Sequence, residues 1–225
     1  MDEKVRASDK FHRDLGDLKE QLSKLAVLAE SALDRSIKAL MTRDLNLARE
    51  VIQGDAAINH LEEELDALCV KIVALYQPVA IDLRQVMAID HLIVELERIG
   101  DLSVNVAEEA LNLGQLPEQE LHRDLPRMTR MVQSMIRDSL RAFLTQDALL
   151  AREVCKHDDE VDYLDRALIQ ELLEYMGRSQ EAIAFGLAQI NVVRNLERAG
   201  DHATNVAEQV VYMVEGESVR HRCQG

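Results

Sequence analysis

Apolar residues recur along this chain at intervals of three and four. Leu15, Leu18, Leu22, Leu25, Leu28, Leu33, Ile37 and Leu40 show the pattern first. That spacing is the signature of an amphipathic helix, and it predicts a first helix from about Phe11 to Met41. Asp44 is placed to cap a second helix running to about Tyr76. Gln77-Pro78 ends it, because proline lacks an N–H and pushes the preceding residue out of helical geometry. A third helix is expected from Ile81 to Leu113, with Gly114 as the glycine just past its end. Leu116-Pro117-Glu118 follows as a link. A fourth helix starts near Pro117 or Pro126 and carries Met128, Met131, Met135 and Leu140. Asp147 caps a fifth, which closes at Gly177. Ser179 opens a sixth, which runs to about Val214 before Glu215-Gly216. Residues 217–225 read as a frayed tail.

A helix of about 30 residues is about 45 Å long. Its apolar stripe needs cover from neighbouring helices. Short links between such helices favour antiparallel bundles. The expected fold is therefore all-α, six long antiparallel helices in two three-helix bundles. The first bundle spans residues 8–114 and the second 117–216.

The strongest internal signal is a repeat. Leu96-Glu97-Arg98-Ile99-Gly100-Asp101-Leu102-Ser103-Val104-Asn105-Val106-Ala107-Glu108 returns as Leu196-Glu197-Arg198-Ala199-Gly200-Asp201-His202-Ala203-Thr204-Asn205-Val206-Ala207-Glu208, with nine of thirteen positions identical. A second stretch, Ser36 to Glu62, aligns with Ser139 to Asp165 at an offset of 103 residues. It matches Asp44 with Asp147, Ala48-Arg49-Glu50-Val51 with Ala151-Arg152-Glu153-Val154, and Asp55 with Asp158. Two copies of one unit imply a pseudo-twofold arrangement of similar bundles.

Composition narrows the picture. Among 225 residues, aromatics are 3%, with three prolines, nine glycines and no tryptophan. That profile argues against a sandwich or barrel, which needs frequent turns and aromatic or β-branched strands. The net charge of −15 argues against a nucleic-acid partner, which calls for a basic surface. It also disfavours docking on an anionic membrane, and it suits cations or a basic protein surface. No secretory signal is visible after Met1, and no apolar stretch is long enough to insert into a bilayer. Cys69, Cys155 and Cys223 are odd in number and widely spaced, which reads as reduced thiols in the cytoplasm.

The repeated motif carries the candidate chemistry. Glu97, Asp101, Asn105 and Glu108 fall within about 80° of one helix face at 3.6 residues per turn. Gly100 lies on the same side. Glu197, Asp201, Asn205, Glu208 and Gly200 repeat the arrangement. The second helix of each unit has its own acidic set: Asp55, Asn59 and Glu62, then Asp158, Asp162 and Asp165. If the two faces meet, several oxygen donors converge. Like charges four residues apart destabilise a bare helix, and a hard cation relieves that repulsion. Carboxylate and amide oxygens suit Mg, Ca, Mn or iron. The plain alternative is a solvated acidic stripe paired to Arg98 and Arg198. Acidic faces shared between two chains would complete such a site, so a homodimer is expected.

Other chemistry is not signalled. There is no phosphate-cradling GxxxxGK[ST] or GxGxxG and no HExxH. None of the seven histidines has a glutamate three residues before it, as a helical-bundle di-iron oxidase requires. His202 follows Asp201, but its counterpart is Leu102, so it reads as a surface or secondary ligand residue. His60 and His91 read as structural. The Met128–Met131–Met135 stripe reads as core. No nucleophilic triad stands out, so no catalytic residues are assigned. A metal-dependent helical-bundle enzyme acting on phosphate esters and a metal-free scaffold stay open as alternatives.

The doubled Leu-Glu-Arg-x-Gly-Asp motif resembles the PhoU family. So do the turn Gln77-Pro78-Val79-Ala80-Ile81-Asp82-Leu83-Arg84 and the segment Tyr212-Met213-Val214-Glu215-Gly216. The resemblance covers roughly residues 8–216. It implies a cytoplasmic, non-enzymatic accessory regulator of the phosphate-specific ABC transporter. It implies repression of phosphate-starvation genes, through contact with the transporter's ATPase subunit and a membrane sensor histidine kinase. It also implies multinuclear metal, iron first with Mn, Zn or Mg as alternatives. The implied ligands are Glu97 and Asp101, Glu197 and Asp201, Asp158 and Asp162, and Asp55 and Asn59. Asn59 departs from the pattern, because it replaces a carboxylate.

Overall fold

A computed structural model describes residues 2–117 and 119–216, with side chains from residue 9 onward. The sequence positions 217–225, expected to be a tail, lie outside the described residues. Among those described there are six α-helices and no strand: α1 (Asp2–Thr42), α2 (Leu45–Tyr76), α3 (Ala80–Gln115), α4 (Leu125–Thr145), α5 (Ala148–Met176) and α6 (Gln180–Glu215). The all-α expectation holds.

Three of the helix starts are set by side chains the sequence singled out. Asp44 Oδ1 accepts from the backbone N–H of Asn46 and Leu47 at 3.1 and 3.0 Å. Asp147 Oδ1 does the same for Leu149 and Leu150, at 3.0 Å each. Ser179 accepts from Ala182 N at 3.1 Å. These bonds satisfy N–H groups that have no partner inside the helix. The residue before each Asp cap, Arg43 or Gln146, adopts a left-handed conformation with φ of 52°. Two residues are thus enough to reverse the chain, so α2 folds back along α1 and α5 along α4.

Helix α3 ends later than expected, and α4 starts at the second of its two expected prolines. Helix α3 runs through Gly114 to Gln115, so this glycine is not a terminator. A Cβ there would lie 2.3 Å from Leu45 Cδ2, which explains its size as close packing against the start of α2. The carbonyls ending α3 are capped instead by Arg43, which donates to Leu113 O and Leu116 O at 2.7 and 3.0 Å. Helix α4 begins at Leu125 with Pro126 in its first turn, a position where the missing N–H costs nothing. Pro117 stays in the link.

Helices α1, α2 and α3 pack pairwise as one bundle, and α4, α5 and α6 as the second. The bundles join chiefly along α3 and α6, with α1 touching α4. The two central helices are apolar on several sides. In α3 the buried residues Ile99, Gly100, Leu102, Ser103, Val106 and Ala107 leave little solvent face, as expected of a helix enclosed by neighbours. Leu18, Leu22, Leu25, Leu33, Ile37 and Leu40 form the core stripe of α1. Leu28 does not belong to it: Leu28 is exposed and Ala29 takes the buried position. Met128 and Met135 are buried as expected, with Met131 packed at the edge of the core.

Removing either Asp cap leaves two N–H groups without a protein partner. Asp44→Ala and Asp147→Ala are each expected to lower unfolding free energy by about 1 kcal/mol. Urea denaturation followed by far-UV circular dichroism checks this, and an unchanged midpoint would contradict it.

Candidate functional site

The acidic faces of the second and third helices of each unit do meet, and they do so within one chain. A second copy is therefore not needed to bring them together.

The second unit shows the fuller cluster. Asp162 on α5 and Glu197 and Asp201 on α6 each offer a ligand atom, and these atoms lie within 4.8 Å of one another. Asp158 and Asp165 flank them on α5, and both are buried. Asp158 Oδ1 accepts from Thr204 Oγ1 at 3.2 Å. Asp165 Oδ2 accepts from Arg194 Nη1 at 2.9 Å. The other oxygen, Asp165 Oδ1, is buried without a hydrogen-bond partner. A buried polar atom left in this way is costly.

The first unit repeats the geometry with weaker donors. Asn59 stands where the second unit has Asp162, and its amide donates to Asp55 Oδ2 at 2.9 Å. Asp55 Oδ1 is buried without a partner. Among the described residues this unit gathers no comparable carboxylate triple. Gly100 has a steric reason here. A Cβ on it would lie 3.0 Å from Ile58 Cδ1 and 3.6 Å from Asp55 Oδ1, so glycine lets α3 approach α2 beside the carboxylate. At Gly200 the nearest atom, Val161 Cγ1, would be 3.5 Å away, an ordinary contact. Arg98 reaches Glu97 and Asp101 at 3.5 Å each, so part of the solvated-stripe arrangement is present. Its side chain is 54% exposed, and ion pairs of that kind contribute little.

Burial and crowding of like charge raise the proton affinity of these groups. Burial is the first cause at Glu197, followed by Asp201, Asp165 and Asp162, and together they push it up to about 7. Asp201 is raised to about 6 by burial and then by Asp158 and Asp162. Asp158, Asp165, Glu97 and Asp55 are raised as well, with burial again the first cause. Carboxylates that hold protons near neutrality exchange them readily for a cation. Oxygen-only donors, two buried oxygens without hydrogen-bond partners and a triple at ligating separation fit a hard cation.

Some candidate residues point elsewhere. His202 Nδ1 lies 2.6 Å from Glu95 Oε2 on α3, and Asn205 Nδ2 donates to the same oxygen at 3.0 Å. Asn105 Nδ2 donates to Asn195 Oδ1 across the same interface at 3.3 Å. These side chains fasten one bundle to the other. His60 and His91 are exposed rather than built into the core. Glu108 is exposed. Arg194, Thr204 and Glu95 also serve the site or the interface beside it, although no motif marks them in the sequence. Arg194 and Thr204 sit three residues on either side of the Glu197–Asp201 pair, on the same helix face, which is the signal that could have found them.

A further group, His122, Asp124 and Glu171, also brings donor atoms within 4.8 Å. Both ring nitrogens of His122 are already engaged. Nδ1 accepts from Asp124 N at 3.2 Å, and Nε2 faces Glu171 Oε2 at 3.1 Å. It serves as a latch between the inter-bundle link and α5.

Fold and cluster together define a class: duplicated three-helix-bundle proteins with paired acidic helix faces. A family model described as PhoU domain matches residues 22–110 and again 125–210. The chain belongs to the PhoU family. It is 39% identical over 213 residues to a phosphate-specific transport system accessory protein PhoU homolog of Aquifex aeolicus, covering 95% of this chain and 96% of that one. It is 34% identical to the Escherichia coli K12 accessory protein PhoU over 214 residues, covering 95% and 89%. The crystal structure of PhoU from Pseudomonas aeruginosa superposes with a TM-score of 0.90 at 36% identity, covering 92% of this chain and all of that one. The phosphate transport system regulatory protein PhoU from Streptococcus pneumoniae gives 0.85 at 30% identity, covering 93% and 99%. This membership places the chain in phosphate transport regulation. No helix among the described residues is long and apolar enough to cross a membrane.

The raised carboxylates fix the sign of a pH dependence. The folded chain keeps protons on Glu197 and Asp201 that the unfolded chain sheds at ordinary carboxylate values. Stability from this cluster is therefore greatest below those values and falls as pH rises through about 6 and about 7. In chelator, melting temperature is expected to drop between about pH 5 and about pH 8. A Glu197→Gln/Asp201→Asn variant should flatten the drop in differential scanning fluorimetry, and an identical slope in the variant would contradict the assignment.

Proposed function

We propose that this protein is a cytoplasmic, non-enzymatic regulator that represses the phosphate-starvation response while phosphate is plentiful. It acts by contact with the ATPase subunit of the phosphate ABC transporter and with the membrane sensor histidine kinase. Both carboxylate clusters hold metal ions, iron first, with Mn, Zn or Mg as alternatives. The ligands are Glu197, Asp201, Asp158 and Asp162 in the second unit, and Glu97, Asp101, Asp55 and Asn59 in the first. The observation that carries this reading is the doubled acidic motif, drawn together at both helix crossings of a PhoU-family chain.

The metal has a structural role in this account. It bridges the second and third helices of a unit, neutralises their mutual repulsion and fixes the shape offered to a partner. Asn59 makes the two units unequal, because a neutral amide attracts a cation less than the carboxylate of Asp162. The second unit therefore binds more tightly.

One surface feature supports protein contact as the output. Leu75, Val79 and Ile81 stand 63%, 74% and 62% exposed around the α2–α3 turn. Apolar side chains grouped in this way mark interaction surfaces. A homodimer is retained in the proposal, and it rests on such surfaces rather than on shared ligands.

Deleting the gene should switch on the starvation genes in phosphate-replete cells and deregulate phosphate uptake. Reporter expression and labelled-phosphate uptake measure both. Starvation genes that stay silent, with uptake unchanged, would sink the proposal. Complementation by the wild-type gene but not by Glu197→Ala/Asp201→Ala would tie the phenotype to the cluster.

A further inference from the structure

Helix α4 departs from the charge of the rest of the chain. It carries four arginines against one aspartate in a protein of net charge −15. Arg127, Arg130, Ser134, Arg137 and Arg141 follow one another at helical spacing and are all exposed.

The four arginines are not equivalent. Arg137 reaches Glu30 on α1 at 3.4 Å, and Arg141 reaches Asp138 at 3.3 Å. Arg127 and Arg130 make no ion pair with any described carboxylate within 4.0 Å. They border instead a hollow of about 370 Å³ between α4 and α5, lined also by Met131, Ser134, His157 and Glu160. The hollow is open to solvent, and its volume has room for a small ligand, for which sites begin at about 300 Å³.

A hollow also lies between α1 and α2 of the first unit, lined by Asp17, Glu20, Gln21, Lys24, Leu61 and Glu64, so it is the lining that sets the second unit apart. Carried back along the helices at the same offset of 103, the positions of Arg127, Arg130, His157 and Glu160 fall on Lys24, Val27, Gly54 and Ala57. Lys24 is paired with Glu20 at 2.8 Å. The first unit thus has the same helices without the guanidinium pair, the imidazole or the carboxylate.

We propose that this hollow binds the phosphoryl group of a small phosphate monoester. Arg127 and Arg130 grip it from α4, and His157 approaches from α5. The arrangement favours a tetrahedral oxyanion over a carboxylate. One guanidinium fork satisfies a planar carboxylate. Two guanidinium groups on α4 and an imidazole on α5 border the hollow, and donors on two helices can meet oxygens that point in different directions. Ser134 is not counted among the donors, because its hydroxyl already donates to Asp138 Oδ2 at 3.2 Å. Glu160 is an acceptor on the same rim. It repels a bare anion and suits a ligand that also carries hydroxyl or amino groups. Met131 offers an apolar wall. The site lies on the α4–α5 surface, and none of its lining residues is among the proposed metal ligands.

Isothermal titration calorimetry on the full chain at low ionic strength tests this, with adenosine monophosphate and inorganic phosphate as probes. Saturable one-to-one binding of the monoester is expected. Arg127→Gln/Arg130→Gln should weaken it by about tenfold or more, because charge-assisted bonds are lost. Arg137→Gln, whose partner is Glu30, should leave it unchanged. Inorganic phosphate binding with the same dependence on the two arginines would support the phosphoryl site and assign free phosphate as its source. No saturable binding of either probe would overturn the proposal. So would binding that survives in the double variant while circular dichroism shows intact helices.

Discussion

Several carboxylates set where two helices cross, partly out of water, are the constraint around which the rest of this structure is arranged. Burying one ionised carboxylate is costly, and burying neighbours of like charge is more so. The molecule answers in three ways. Glu197 and Asp201 keep protons up to about 7 and about 6. Thr204 and Arg194 bond to Asp158 and Asp165. The remaining repulsion is what a bound cation would relieve. None of these works unless the two helices are held close, and the long apolar stripes of α1 and α4 and the enclosed centres of α3 and α6 hold them.

Duplication explains the architecture, and divergence between the copies explains the chemistry. Asp162 became or remained a carboxylate where Asn59 is an amide. Arg194 and Thr204, which support the second cluster, correspond to Val94 and Val104 in the first. The interface between units shows the same drift: Asn205 bonds to Glu95, while Asn105 bonds to Asn195. The arginine-lined hollow on α4 is another feature of one copy alone. A duplicated fold keeps its packing because each core position is constrained by many neighbours. Its surface positions are freer to acquire separate tasks.

Most of the architecture was legible in the sequence. The apolar spacing marked six helices, and Asp44, Asp147 and Ser179 marked three of their starts, because capping depends on nearby residues alone. Gly114 misled, because the same residue that ends a helix also permits close packing against Leu45, and only the tertiary structure distinguishes the two. Leu28 misled because intervals of three and four are both helical, and Ala29 fills the buried place. The repeated carboxylates announced the candidate site. The residues that support it did not, since Arg194, Thr204 and Glu95 gain meaning only through partners 29, 46 and 107 residues away in the chain.

The central claim is that the crossed acidic faces are cation sites. Elemental analysis of protein purified without chelator, before and after incubation with Mn2+ and desalting, tests it most directly beside a Glu97→Ala/Asp201→Ala variant. The account predicts iron, manganese or zinc at one or more equivalents per chain in the unaltered protein, and its loss in the variant with helicity retained. No metal in either protein under both conditions would contradict the claim and reduce the acidic faces to protonated or solvated surface.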